Sequence, residues 1–482
     1  MGITSMTSLD VYKGFVTEST PTQTVVTEPL EYVNLAGDFT PNLAEKVETP
    51  TPTTIVYTLR QGVKFSDGTP LTVDDVVWSL NRLTEDKATT KGYLGSVKGA
   101  EATGDYEVTV NLTDANPSMR AALSVTGQIM GKAYGEKNAE DLGTSAAMPI
   151  GTGPYKYTSF TASRVEADRN PNYWGKKPAP DKLAFDIIPE DTQRQLALRS
   201  GSIQGGKLVD IGKLKEWESI PGVTVKTSPW MRLNYVSFDT TKAPFDDVHL
   251  RRMVAYAIDR EGIIKSAYAG AADPMPVMTA NEALVGSAPS TKAADDFLAS
   301  VPTYSLDLDK AKAELAQSAY PDGLDFKFYF LNEFPWSRLA ALNLQENLKP
   351  LGVNVTPTVV PYDKFISNTY AGKPFSIGAG EASYPAPTAT RVFSNLSGIF
   401  NVAKYSNPEV DSLLPDLYSP DPATQWKAVE GALTKIAEDA PYVPLFQPKR
   451  GFALQEGLTF TTDLDPLSLE SGNWIHFLSR AS

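Results

Sequence analysis

Cysteine is absent from the 482 residues, and histidine occurs only at His249 and His476. Without a thiol the chain can form no disulfide, no thiolate nucleophile and no zinc site built from cysteines, although this identifies no compartment. His249 falls in the first turn of a helix expected over 247–258, and both it and His476 read as exposed structural histidines, so no metal and no cofactor is expected. No apolar run is long enough to cross a membrane, no secretory leader opens the sequence and no lipidation cysteine is present. Gly-x-Ser-x-Gly, a glycine-rich phosphate loop with lysine, and His-Glu-x-x-His are missing as well, which removes the common hydrolase, nucleotide and zinc-protease signatures. Positive charge is in deficit: 44 Lys and Arg stand against 57 Asp and Glu, a net charge of −13. A phosphate backbone needs a basic surface, so no nucleic-acid partner is expected.

What is present suits a packed, multidomain chain. The length exceeds what one core usually supports, and apolar residues at 41% with aromatics at 10% suffice for several. Strand and helix signals alternate, with 36 prolines and 34 glycines mostly at the joints. Leu324, Phe326, Phe328 and Phe330 alternate as a strand, 336–349 reads as a helix, and Val353-Asn354-Val355 returns as a second strand, a βαβ unit. Tyr106, Val108, Val110 and Leu112 alternate likewise, and Trp426, Val429, Leu433 and Ile436 mark a late amphipathic helix. Asp74-Asp75 and Asp246-Asp247 are paired acids, but both open helices, where the helix dipole favours negative charge. Two carboxylates can always be assembled for glycosidase work from so acidic a chain, yet nothing in the sequence places such a pair.

The stretch 57–83, YTLRQGVKFSDGTPLTVDDVVWSLNRL, is the most informative. Ile55, Tyr57 and Leu59 alternate as a half-buried strand, Ser66-Asp67-Gly68-Thr69-Pro70 supplies a turn, and Thr72 can cap a helix whose buried stripe is Val73, Val76, Val77, Leu80 and Leu83. The wording of this strand, turn and helix resembles the signature of the family 5 solute-binding proteins of ABC importers, a group that captures peptides, nickel chelates, some oligosaccharides and related solutes. Further landmarks of that family follow in order. Asn42-Leu43-Ala44-Glu45 is similar to its P-x-L-A-E-S-W run, and Gly151-Thr152-Gly153-Pro154-Tyr155 to its G-T-G-P-Y turn. Asn170-Pro171-Asn172-Tyr173-Trp174, Leu198-Arg199-Ser200-Gly201 and Tyr235 to Thr240 come next. Pro244 to Asp247, Ala255 to Arg260, Tyr405 to Asp411 and Pro441 to Leu445 complete the series.

The resemblance implies an α/β fold: a bilobal periplasmic-binding-protein-like fold of the class II, cluster C type, with an extra subdomain inserted in the first lobe. Residues 1–32, 150–235 and 446–482 would form a discontinuous first lobe, 33–149 the inserted subdomain, and 236–445 the second lobe. Hinges would fall near 234–236 and 443–445. It also implies an exported, monomeric receptor, in the periplasm or lipid-anchored at the outer face of the membrane, which hands a small-molecule or peptide ligand to ABC permease subunits. The export signal, with any lipidated cysteine, would have been removed ahead of Gly2 to Asp10.

The cargo classes this leaves open are oligopeptides and oligosaccharides or glycosides. Peptide-binding relatives place an aspartate in a W-x-A-D-Y-x-x-P segment to hold the peptide's amino terminus; here Ser383 stands at that position in Gly380 to Pro387. A hydroxyl cannot replace a buried carboxylate opposite an ammonium group, so either Glu381 takes the role or the ligand has no such amine. Trp230 and Trp336 are candidate stacking walls. Tyr93, Asn234, Asn332, Tyr384 and Asn401 are candidate polar contacts, and Arg391 is the candidate cation for a ligand carboxylate or phosphate. Trp78, Trp174, Trp217 and Trp426 fit scaffold roles better. A chaperone-like or adhesion role on the same lobes is the alternative.

Overall fold

The computed structural model describes residues 1–15, 19–34, 37–116, 118–208, 210–230, 232–332, 334–361, 364–365, 367–368, 375–382, 388–389, 392, 396, 401–419, 421–462 and 472–480. The chain divides into two compact units, one of residues 1–210, 214–228 and 450–482, the other of 211–213 and 229–449.

In the first unit, strand Tyr155–Phe160 pairs antiparallel with Arg164–Arg169, which pairs antiparallel with Lys182–Ile187. The short strand Gly2–Ile3 runs parallel to both Lys182–Ile187 and Gly205–Leu208, and the latter pairs antiparallel with 451–454. Its core gathers Val25, Val26, Tyr155, Phe185, Phe452 and Trp474, residues from both ends of the chain. A separate four-stranded antiparallel sheet lies within the expected insertion 33–149, in the order Ala44–Thr51, Thr54–Leu59, Glu107–Leu112, Val97–Gly104. Thr54–Leu59 buries every second residue, as its alternation requires. Helix Val73–Arg82 follows, closed at its start by a capping box: Thr72 accepts from the Asp75 amide and the Asp75 carboxylate accepts from Thr72. Asp75 therefore works as a cap partner, and it also accepts from the Lys132 amide at 2.8 Å.

In the second unit the expected βαβ unit is present: Asp325–Phe330 and Asn354–Val359 are parallel, joined through helix Pro335–Leu348. Ile377–Ala382 pairs with Leu233–Phe238, which pairs antiparallel with 442–446, while Ala272–Pro274 pairs with 446–448. Helices Val248–Ala257 and Pro335–Leu348 bury their apolar stripes in the core of this unit, around Phe238, Phe245, Phe328 and Leu344. Gly380 sits opposite Tyr235 in the ladder, and a Cβ there would meet the Tyr235 ring at 2.4 Å, so only glycine leaves room for that ring. Residues 234–236 and 443–446 are knitted together by ladder hydrogen bonds inside this unit. The chain passes between the units at 210/211, 213/214, 228/229 and 449/450, the last two a few residues from the positions named as hinges.

The two histidines are less exposed than expected. His249 is half-buried, its Nδ1 2.7 Å from Glu314 Oε2, and His476 is half-buried with its Nε2 3.3 Å from the Tyr173 hydroxyl. Among the described residues no group of three His, Asp or Glu side chains could hold a metal ion, and no helix is long and apolar enough to cross a membrane.

Candidate functional site

Two of the ordered landmarks in the first unit meet at one buried carboxyl group. Glu28 Oε2 accepts from the Thr152 hydroxyl at 2.8 Å and from the Trp174 indole at 3.0 Å, joining the G-T-G-P-Y turn to the Asn170–Trp174 segment. Burial pushes the Glu28 carboxyl above its ordinary value, and the hydrogen bonds from Trp174 and Thr152 only partly oppose this. Arg60 lies 4.8 Å over the Trp174 ring. The glycine of the turn is needed for space: a Cβ on Gly151 would stand 2.0 Å from the carbonyl oxygen of Val26. Trp174 therefore serves the scaffold, as does Trp217, which is fully buried and donates to Asp191 at 3.0 Å. Of the candidate ligand contacts, Tyr93 alone lies in this unit, half-buried with its ring edge-on to Phe15 at 5.5 Å.

In the second unit three candidates gather near the strand residue Phe446. Asn234 is fully buried in strand Leu233–Phe238, in register with Glu381 on one side and Phe446 on the other. Its Nδ2 donates to the Tyr268 hydroxyl at 3.4 Å, while its Oδ1 has no hydrogen-bond partner among the described residues. Phe446 carries two edge-on rings, Tyr268 at 5.3 Å and Trp336 at 5.6 Å. Trp336 sits at the start of helix Pro335–Leu348, where Pro335 fits the first turn because its missing amide is not needed there. It is 1% exposed, so it packs as part of the core, and its indole Nε1 has no partner among the described residues.

Trp230 is half-buried beside the same strand. Its amide donates to the carbonyl of Pro448 at 2.9 Å, its carbonyl accepts from Gln447 at 3.1 Å, and the Arg232 guanidinium stacks 3.6 Å above its ring. Gln447 also donates to Glu282 at 3.0 Å. Beneath this segment Arg260 donates to the carbonyls of Pro444 (3.0 Å), Ala255 and Tyr304, and burial pushes its pKa down to about 10.

The remaining candidates are placed differently. Asn401 uses both ends of its amide in the scaffold: Nδ2 donates to Leu396 and Tyr405 carbonyls, and Oδ1 accepts from the Tyr405 amide at 3.0 Å and, from the strand that begins at Tyr442, the Tyr442 hydroxyl at 3.3 Å. Asn332 is exposed in the turn before the Trp336 helix. Glu381 is described through its backbone only, and Tyr384 and Arg391, with Ser383, lie outside the described residues. Tyr268, Phe446 and Gln447 were not singled out from the sequence. Phe446 directly follows the Pro441–Leu445 landmark, which was the one signal available, whereas nothing local marks Tyr268.

The corner therefore combines aromatic rings with the amide and hydroxyl groups of Asn234, Gln447 and Tyr268, and the charged Arg232 and Glu282 lie beside them. The fold is that of the two-lobed α/β proteins: the solved structure of HbpA2 from Haemophilus parasuis matches with a TM-score of 0.82 at 21% identity, covering 100% of this chain and 99% of that one. Heme-binding protein A of Haemophilus influenzae is 25% identical over 468 residues, 88% of this chain and 81% of that protein. The glutathione-binding protein GsiB of Escherichia coli K12 is 24% identical over 427 residues, 84% and 80% of the two chains. Residues 38–400 match the family described as bacterial extracellular solute-binding proteins, family 5 Middle. The chain belongs to that family, whose members serve ABC importers and are named for binding rather than for catalysis.

Proposed function

We propose that this protein captures a small solute, an oligopeptide or an oligosaccharide or glycoside, in a cleft between its lobes and delivers it to the permease of an ABC importer. The observation that carries the reading is the family match over residues 38–400. Binding alone suffices for such a role, because a ligand that contacts the closed arrangement better than the open one shifts the population toward closure. The lobes of this reading are 1–32 with 150–235 and 446–482, and 236–445, with 33–149 as the inserted subdomain. Its ligand contacts are Trp230, Trp336, Glu381, Tyr384, Arg391, Tyr93, Asn234, Asn332 and Asn401. The protein works as a monomer outside the cytoplasmic membrane, free or lipid-anchored.

A ligand that binds only the native state raises its apparent stability by mass action, so a thermal-shift screen against di- to pentapeptides, oligosaccharides, opine-like conjugates and nickel chelates tests the reading. A saturable rise with one class supports solute capture and names the cargo. No rise with any class at millimolar concentration, combined with binding of unfolded client chains, would establish the chaperone-like alternative.

A further inference from the structure

We propose that the corner around Phe446 is a subsite for an uncharged group that donates and accepts hydrogen bonds at once, a hydroxyl or a carboxamide, carried next to an apolar face of the ligand. This rests on the reading that the chain captures a solute. Buried polar atoms in folded proteins are nearly always paired, and leaving one unpaired costs the desolvation of that atom. Among the described residues two such atoms of opposite kind, the acceptor Asn234 Oδ1 and the donor Trp336 Nε1, belong to side chains that neighbour Phe446, on residues 0% and 1% exposed. Asn234 is in register with Phe446, and the Trp336 ring meets the Phe446 ring edge-on at 5.6 Å.

Their complementarity selects the occupant. A carboxylate would satisfy the indole N–H but face the Asn234 carbonyl oxygen, and an ammonium would satisfy that oxygen but face the indole N–H. A neutral group that can both give and take a hydrogen bond suits both, and neither residue brings a charge that would demand an ion. Tyr268 is the means of access. It is half-buried rather than buried, and its contact with Asn234 Nδ2, at 3.4 Å, is long enough to be exchanged for a ligand hydroxyl at small cost. The Tyr268 and Phe446 rings, 5.3 Å apart, then supply the apolar wall.

The test uses the whole chain, the variants Asn234→Leu and Trp336→Phe, and three probe sets: maltotriose and cellotriose, N-acetylated tripeptide amides, and the same tripeptides with free termini. Without any probe, Asn234→Leu is expected to keep or raise the Tm, because it removes an unpaired acceptor from the interior. With a neutral probe that stabilises the wild type, each variant is expected to weaken binding about tenfold, the worth of one hydrogen bond. The indole N–H resonance of Trp336, assigned as the one missing in Trp336→Phe, is expected to shift as that probe is added. A Tm of Asn234→Leu several degrees below wild type shows that Oδ1 already has a protein or water partner and overturns the subsite while leaving solute capture standing. So does a probe that binds both variants as well as wild type without moving the Trp336 resonance. Binding of the free tripeptides with refusal of both neutral sets overturns the uncharged class. Silence from all three sets overturns the subsite and counts against solute capture together, and the separation of sugar from blocked peptide follows from which neutral set responds.

Discussion

Asp10 and Arg82 form the most stringent test of how the first unit is held together. Arg82, the last residue of the signature helix, gives Asp10 two parallel hydrogen bonds, Nη1 to Oδ1 at 3.0 Å and Nη2 to Oδ2 at 2.7 Å. The carboxylate is 0% exposed and the guanidinium 10%, lying between the rings of Tyr12 at 4.6 Å and Trp78 at 4.8 Å. Asp10 also accepts from the Tyr12 amide at 3.1 Å, capping the turn that follows it. Arg82→Met keeps most of the stem but strands a buried carboxylate with only that one amide, and Asp10→Asn strands the guanidinium. Breaking a buried pair from one side costs about 3–5 kcal/mol. At about 2–4 °C per kcal/mol for a unit of this size, each single variant should lower the Tm of the first unit by about 10 °C. The double variant leaves no uncompensated charge and should cost less than either single change. The assay is a double-mutant cycle in urea followed by circular dichroism, with calorimetry to separate the transitions of the two units. Single changes that add to the double within about 0.5 kcal/mol would refute the reasoning, because independent sites add and a coupled buried pair cannot.

Glu28 makes stability pH-dependent in a stated direction. Its folded pKa is raised above the ordinary 4.5 by burial, so its contribution is fully present below that value and is lost as the pH rises through the raised one; Glu28→Gln should flatten this part of the profile and stabilise the protein at neutral and higher pH, as melts across pH would record. Gly151→Ala drives a Cβ against the Val26 carbonyl and should cost at least about 3 kcal/mol, whereas Gly95→Ala, with nothing within 4 Å of its Cβ, should stay within about 1 kcal/mol of wild type in urea melts. Arg260→Met removes the donors of the Pro444, Ala255 and Tyr304 carbonyls and should destabilise the second unit by about 2–4 kcal/mol, checked by its calorimetric transition.

The sequence by itself determined the local elements and the family. The alternation of Ile55, Tyr57 and Leu59, the Thr72 cap and the Val76–Leu80 stripe appear in the structure as written, because a two-residue period and a 3.6-residue period are properties of the chain's immediate neighbourhood. The βαβ unit of 325–359 was legible for the same reason, and the order of the landmarks pointed to the family to which residues 38–400 are matched. Tertiary structure decided what those landmarks do. Nothing local to Glu28 foretells that Thr152 and Trp174, more than a hundred residues away, donate to it, nor that Arg82 lies against Asp10. Trp336, a plausible exposed wall by its place before a helix, is buried because the ring of Phe446 and the second unit's core pack against it. The meeting of Asn234, Tyr268, Trp336 and Phe446 depends on which strands pair and in what register, and pairing is set by long-range burial that the sequence on either side of each residue does not record.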